Sequence, residues 1–128
     1  MQATWNVLEP TAGNALRVAR QEGVGVIVKE VLANGRLTRR NHAATFAPKL
    51  ATLAHHAERL GTTPEAVALA AVLQQPWADT VLSGAATAEQ LRANLSAPTV
   101  AWDDEVGEAL AGFAEPDYWK TRAALSWN

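Results

Sequence analysis

The sequence predicts an α/β fold of three parallel strands with about five helices, in a single domain spanning residues 1–128. Three observations carry this reading. Val24-Gly25-Val26-Ile27-Val28 is an apolar, largely β-branched run, as found in strands covered on both faces. Strand, helix and strand follow one another within the first 28 residues, which makes a βαβ unit with a right-handed crossover. A second such unit, built with two helices, ends on the short apolar strand Thr80-Val81-Leu82-Ser83.

Taken in order, Ala3-Thr4-Trp5-Asn6-Val7-Leu8 reads as the first strand, stopped by Glu9-Pro10-Thr11 because proline cannot continue a central ladder. Asn14 to Glu22 alternates apolar Ala15, Leu16, Val18 and Ala19 with Arg17, Arg20 and Gln21 at helical period, and Gly23 closes the helix. After the second strand, Val31 to Ala47 is irregular, with a turn signal at Asn34-Gly35. Arg36, Arg39 and Arg40 form a small basic cluster there, either solvated or placed to meet an anionic ligand. Phe46 to Leu60 is amphipathic, with Leu50, Leu53, Ala54, Ala57 and Leu60 on one face. Adjacent His55 and His56 point in different directions, so they are expected at the surface and not as an i, i+4 metal pair.

Thr63-Pro64-Glu65 is a strong helix start: a capping hydroxyl, a proline at the first helical position and an acid near the positive end of the dipole. Ala66 to Gln75 is apolar nearly all round, which calls for packing on two sides. Beyond the third strand, Thr87 with Gln90 fits a capping box that starts a helix. Asp103-Asp104 starts another, and Pro116 opens a short last one. Trp102, Trp119 and Trp127 are expected as core or lid residues.

Composition excludes several classes. A net charge of −2 offers no basic excess for nucleic acid, and the absence of cysteine removes disulfides, thiolate metal sites and a Cys nucleophile. No apolar stretch approaches the roughly 18 residues of a membrane span, and no signal-peptide pattern opens the chain, so a cytoplasmic location is expected. No HExxH, Walker loop, GxGxxG or Ser/His/Asp order appears.

One stretch organises the rest. VLSGAATAEQLRANL (Val81–Leu95) is a strand, a small-residue turn and a capped helix. The free N–H groups of that first helical turn would face whatever sits beyond the strand's C-terminal end, a ready anion site. Close packing at an ordinary βα corner would use the same small residues.

This stretch resembles the last strand and following helix of the aldo/keto reductase family. GVGVIVKEVLANGRLT (Gly23–Thr38) resembles the family's seventh strand and its loop, QATWNVLEP (Gln2–Pro10) its sixth, and the YWKTR…SWN tail (Tyr118–Asn128) those of one bacterial branch. The matches run in the family's own order and cover the C-terminal half of a family member. The resemblance implies a partial (β/α)8 barrel, with its site at the C-terminal ends of the strands. Three strands cannot close a barrel, so exposed strand edges are expected to pair in a homo-oligomer or to be covered by rearrangement.

What the resemblance implies about chemistry is asymmetric. The family reduces carbonyls with NADPH through an Asp, Tyr, Lys and His set on the first half of the barrel, so no catalytic residue is assigned here, and Tyr118 and Lys29 do not match those positions. The second half contributes cofactor contacts. Gln2 corresponds to the residue that touches the nicotinamide carboxamide, and Lys29 stands where many members stack an aromatic ring. Glu30, Leu32 and Asn34 lie on the loop beside the pyrophosphate. Ser83, Gly84 and Ala85 line the phosphate turn, and Gln90 and Asn94 reach the adenine. NADP(H) is the implied cofactor, bound weakly, and the turn after the last strand carries Ala86 and Thr87 where NADP-selective members often have a basic residue. No metal, nucleic acid or membrane partner is implied. Two other readings stand beside this one: a non-enzymatic module that recruits a partner or itself through a sheet edge, and a new activity, such as imine formation on Lys29.

Overall fold

The computed structural model describes residues 1–126, so Trp127 lies outside the described residues. Three parallel strands form one sheet in the order β1 (Gln2–Thr4), β2 (Ile27–Lys29) and β3 (Thr80–Val81). Gln2 pairs with Ile27 and Thr4 with Lys29, while Ile27 and Val28 pair with Thr80 and Val81. Six α-helices accompany them: α1 (Gly13–Gln21), α2 (Ala47–Arg59), α3 (Pro64–Leu73), α4 (Ala88–Leu95), α5 (Asp104–Ala111) and α6 (Tyr118–Ala123). Among the described residues no helix is long and apolar enough to cross a membrane.

All three strands are shorter than their sequence patterns predict. β1 stops at Thr4 because Asn6 turns the chain: its Oδ1 accepts the N–H groups of Leu8 and Glu9 at 2.9 and 3.1 Å, and an isolated bridge joins Asn6 to Glu9. β2 starts at Ile27 and not at Val24. The Val26 N–H is taken by the Asp79 carboxylate at 2.8 Å, and the Val26 carbonyl by the N–H groups of Asp79 and Thr80. β3 ends at Val81, although Leu82 still donates to the Val28 carbonyl.

The all-round apolar character of α3 is explained by its position between two cores. Val67, Ala68 and Ala71 pack with Leu8, Leu37, Leu53, Val106, Leu110 and Tyr118. Ala66, Leu69, Ala70 and Val72 pack with Val26, Val28, Leu16 and the edge-to-face pair Trp5 and Trp77. Of the tryptophans expected as cover, Trp102 packs against both clusters, whereas Trp119 stays 52% exposed on α6.

Local signals set the helix ends. Thr63, Thr87 and Asp103 each accept an N–H three residues on, capping α3, α4 and α5. Gly23 takes the left-handed backbone (φ +84°) that ends α1. Asp103 also accepts the Arg59 fork at 2.6 and 3.0 Å, tying α2 to α5; the Arg59 bonds, followed by the Val106 N–H, hold its carboxyl at about 2. Asp79 is likewise held below its ordinary range, by the Val26 N–H first and by Arg20. Both folded-state values lie below the unfolded one, so this stabilisation is present above the unfolded value of 3.8 and is lost as the pH falls towards 2. Thermal melts should therefore show Tm falling through that window, with a shallower fall in Asp103→Asn. A melting temperature flat across the window in the unaltered chain would refute this account.

Candidate functional site

The C-terminal ends of the strands open onto a cavity of about 970 Å³. One wall is the loop after β2. Glu30, Ala33 and Asn34 all take positive φ (58°, 50° and 57°), followed by Gly35 at 87°. Each left-handed residue other than glycine costs about 1 kcal/mol, so the surrounding contacts must hold this loop in place. Those contacts are identifiable. Asn6 Nδ2 donates to the Glu30 carbonyl at 2.8 Å and to the Tyr118 hydroxyl at 3.0 Å. Tyr118 in turn donates to the Glu30 carboxylate at 3.3 Å, and Arg122 Nε reaches both Glu30 oxygens at 2.9 Å. The Arg122 guanidinium holds the Glu30 carboxyl below the usual carboxylate range, while burial, then the Glu30 charge, pushes the Tyr118 hydroxyl up.

The opposite wall is the turn from β3 into α4, and it is self-bonded. Asn94 Nδ2 donates to Ser83 Oγ at 2.8 Å. The Thr87–Gln90 box forms in altered register: Thr87 Oγ1 accepts the Gln90 N–H, but Gln90 Oε1 accepts from Ala86 and not from Thr87. The N–H groups of Ala88 and Glu89 keep no intrahelical partner. A small-residue turn with open N–H groups suits a phosphate.

Of the ten residues singled out from sequence, Glu30, Leu32, Asn34, Ser83, Gly84, Ala85, Gln90 and Asn94 line this one cavity. Gln2 and Lys29 are not among its lining residues. Gln2 is the exposed first residue of β1, level with Ile27 rather than with the strand ends. The Glu30 carboxylate is occupied by Arg122 and Tyr118, so here it fixes the loop. Sequence reading missed Thr38, Glu65 and Glu89 as lining residues. A signal for Glu65 was available: a helix leading directly into a parallel strand must begin at the strands' C-terminal end.

The arginine cluster divides. Arg36 is buried, with its Nε on the Ala33 carbonyl at 2.9 Å and its Cζ 4.3 Å above the Tyr118 ring, so it is neither solvated nor free for a ligand. Arg39 and Arg40 line the cavity, Arg39 paired with Glu65. The histidine expectation holds for His55, which is exposed, and is corrected for His56. His56 is buried, and its ring meets that of His55 edge-to-face at 5.0 Å. Ligand atoms of His55, His56 and Glu105 lie within 4.8 Å of one another, the one such group among the described residues. Arg59 already stands there, with Nη2 at 3.1 Å from His56 Nδ1 and Nε at 3.5 Å from Glu105 Oε2, so that charge is met by a guanidinium.

A model of the aldo/keto reductase family matches residues 1–115. No curated protein matches the chain. Among solved structures, a thermostable aldo-keto reductase crystallised with the inhibitor epalrestat superposes with a TM-score of 0.69 at 23% identity, over 88% of this chain and 39% of its own. The aldose reductase of Giardia lamblia gives 0.68 at 20% identity, over 93% of this chain and 41% of its own. An aldo-keto reductase of Bacillus halodurans, in its apo form, gives 0.68 at 22%, over 89% and 42%. At these identities the likeness concerns the fold, and the chain spans between 39% and 42% of the length of these structures.

Proposed function

The chain belongs to the aldo/keto reductase family, and from that premise we propose that residues 1–128 act as one unit, the C-terminal half of a (β/α)8 barrel. This unit holds the nucleotide end of a nicotinamide cofactor, NADP(H) or its unphosphorylated counterpart, and does not by itself reduce a carbonyl. The observation that carries this reading is the cavity at the strand ends, which gathers the loop after β2 and the turn into α4. A pyrophosphate fits the turn, where backbone N–H groups are open and the side chains are small. Gln90 and Asn94 supply amides on the same wall.

Reduction needs a proton donor beside the substrate carbonyl, and the cavity lining contains no Tyr, His or Lys. The Tyr118 hydroxyl is fully buried between Asn6 and Glu30, out of reach of a substrate. Binding without chemistry is what this lining supports.

The outer edges of β1 and β3 carry no partner strand among the described residues, and Leu82, directly after β3, is exposed, as are Leu91 and Leu95 on α4. Unpaired edges with apolar neighbours associate, and this favours a homo-oligomer or a docked partner strand. A chain that sediments as a monomer at all concentrations would remove that part of the proposal.

Titration with NADH and NADPH, read by tryptophan quenching and energy transfer to the nicotinamide, tests the binding. Saturable binding is expected, weakened about tenfold when Gln90 and Asn94 are both changed to Ala, the loss of two hydrogen bonds of ordinary strength. No binding of either dinucleotide at millimolar concentration would refute it.

A further inference from the structure

We propose that α6 is a releasable strap on the cavity wall: it forms one unit with residues 33–36 of the loop after β2, and the two open together while α1 to α5 and the sheet stay folded. The strap uses one face of a short helix. Tyr118, Arg122 and Leu125 stand at i, i+4 and i+7 and share that face, whereas Trp119, Lys120, Thr121, Ala123 and Ala124 are exposed. Each of the three meets the loop. Tyr118 donates to the Glu30 carboxylate and lies under the Arg36 guanidinium, with Cζ 4.3 Å from the ring centroid. Arg122 reaches Glu30 through Nε and Nη2. Leu125 lines a shallow groove together with Asn34, Gly35 and Arg36.

The loop depends on the strap because its backbone is strained. Glu30, Ala33 and Asn34 hold φ values of 58°, 50° and 57°, a region unfavourable for any residue with a Cβ. Inside the loop there are turn bonds of short span, Ala33 N–H on the Glu30 carbonyl, Gly35 N–H on Leu32 and Arg36 N–H on Ala33. Strained residues of this kind persist where contacts from outside over-determine them. With α6 released, the outside hydrogen bonds that remain are Asn6 Nδ2 on the Glu30 carbonyl and Asn41 Nδ2 on the Arg36 carbonyl. The Glu30 side chain and the Arg36 guanidinium lose their holds, and the strain is free to relax.

The strap is also separable from the body. The Glu115 N–H bonds the Leu8 carbonyl at 2.8 Å, and the exposed Pro116 and Asp117 follow, which places the hinge there. Opening takes Ala33 and Tyr118 away from Leu53, Val67, Val106 and Leu110, which stay packed with one another. A peripheral unit of this kind opens more readily than the whole domain unfolds. Asn34 and Gly35 line the cavity, so opening the strap loosens that wall. The device belongs to the chain itself and operates without a nucleotide.

Native-state hydrogen exchange on the full chain, without nucleotide, is the test. In the unaltered protein the bonded amides of Thr121, Ala124 and Leu125 and those of Ala33, Gly35 and Arg36 are expected to share one opening constant, at least about tenfold larger than that of the central α3 amides. Arg122→Gln removes the charged partner of Glu30 and should raise the α6 and loop constants together by about tenfold. Leu16→Ala empties a buried site on α1, away from the strap. It should speed exchange in α3 by about tenfold or more and leave α6 and the loop unchanged, because the site stays intact when the strap opens. Circular dichroism checks that each variant is folded. A loop that keeps its rates while Arg122→Gln speeds α6 overturns the coupling. Equal opening constants for α6, the loop and α3 in the unaltered chain, or acceleration of all three by Leu16→Ala, would mean that α6 leaves only on global unfolding and overturn the strap.

Discussion

Replacing Asn6 by Ala is expected to destabilise the fold by about 3 kcal/mol, the combined effect of an orphaned donor and three lost bonds. Asn6 is fully buried and uses all of its amide, accepting from Leu8 and Glu9 and donating to the Glu30 carbonyl and the Tyr118 hydroxyl. The losses are unequal. Glu9 N–H keeps the Asn6 carbonyl, and the Glu30 carbonyl keeps the Ala33 N–H, but Leu8 N–H loses its partner and is left buried. Asn6→Asp separates the two halves of the amide: it preserves the turn acceptor but removes both donors and sets a carboxylate near Glu30. It should be at least as damaging as Ala, because a buried charge without a partner costs more than a lost bond. Urea unfolding gives the answer, as a lower midpoint at unchanged m. A loss under about 1 kcal/mol would mean that Asn6 does not organise the ends of β1 and β2.

The second large effect lies across the same bond. Tyr118→Ala should cost about 4 kcal/mol, in the range for emptying a buried aromatic site. Tyr118 is 0% exposed and packs in the cluster with Leu8, Leu37 and Leu110, and its ring underlies the Arg36 guanidinium. Removing it leaves a cavity, takes the π face from Arg36, whose Nη2 is already buried without a hydrogen bond, and leaves the Arg122 pair to hold α6 on Glu30. Tyr118→Phe keeps the ring and loses only the hydroxyl's bonds, for about 1 kcal/mol. A small domain holds about 5–15 kcal/mol in all, so the Ala variant should be visibly marginal at 37 °C. Because Asn6 and Tyr118 touch, Asn6→Ala with Tyr118→Phe should cost less than the sum of the two, and strict additivity would argue against their hydrogen bond.

The same pair shows where the legibility of this sequence ends. Features governed by neighbours within four positions could be read directly. The caps at Thr63, Thr87 and Asp103, the glycine stop at Gly23 and the two-sided apolar pattern of α3 all follow from local chemistry. Parallel pairing and the clustering of Ser83, Gly84, Ala85 and Asn94 at the strand ends were accessible in the same way, from element order and from family resemblance.

What failed depended on distant partners. The first strand reads as six residues although the turn at Asn6 that ends it is local; what was not legible is that the same amide bonds a hydroxyl 112 positions away and a carbonyl 24 away. The start of the second strand is decided by a carboxylate 53 residues later. Arg36 looks like one of three loop cations until Tyr118 arrives beneath it, and Glu65 looks like a dipole-complementing acid until Arg39 turns it into part of the cavity wall. A side chain's hydrogen-bonding capacity is fixed by its type, but the choice among possible partners is made by packing. Sequence alone therefore determined the element types, the helix ends and the end of the sheet at which the candidate site opens. Only the tertiary structure decided which polar groups hold the fold and which remain for a ligand, because burial removes water as the competing partner.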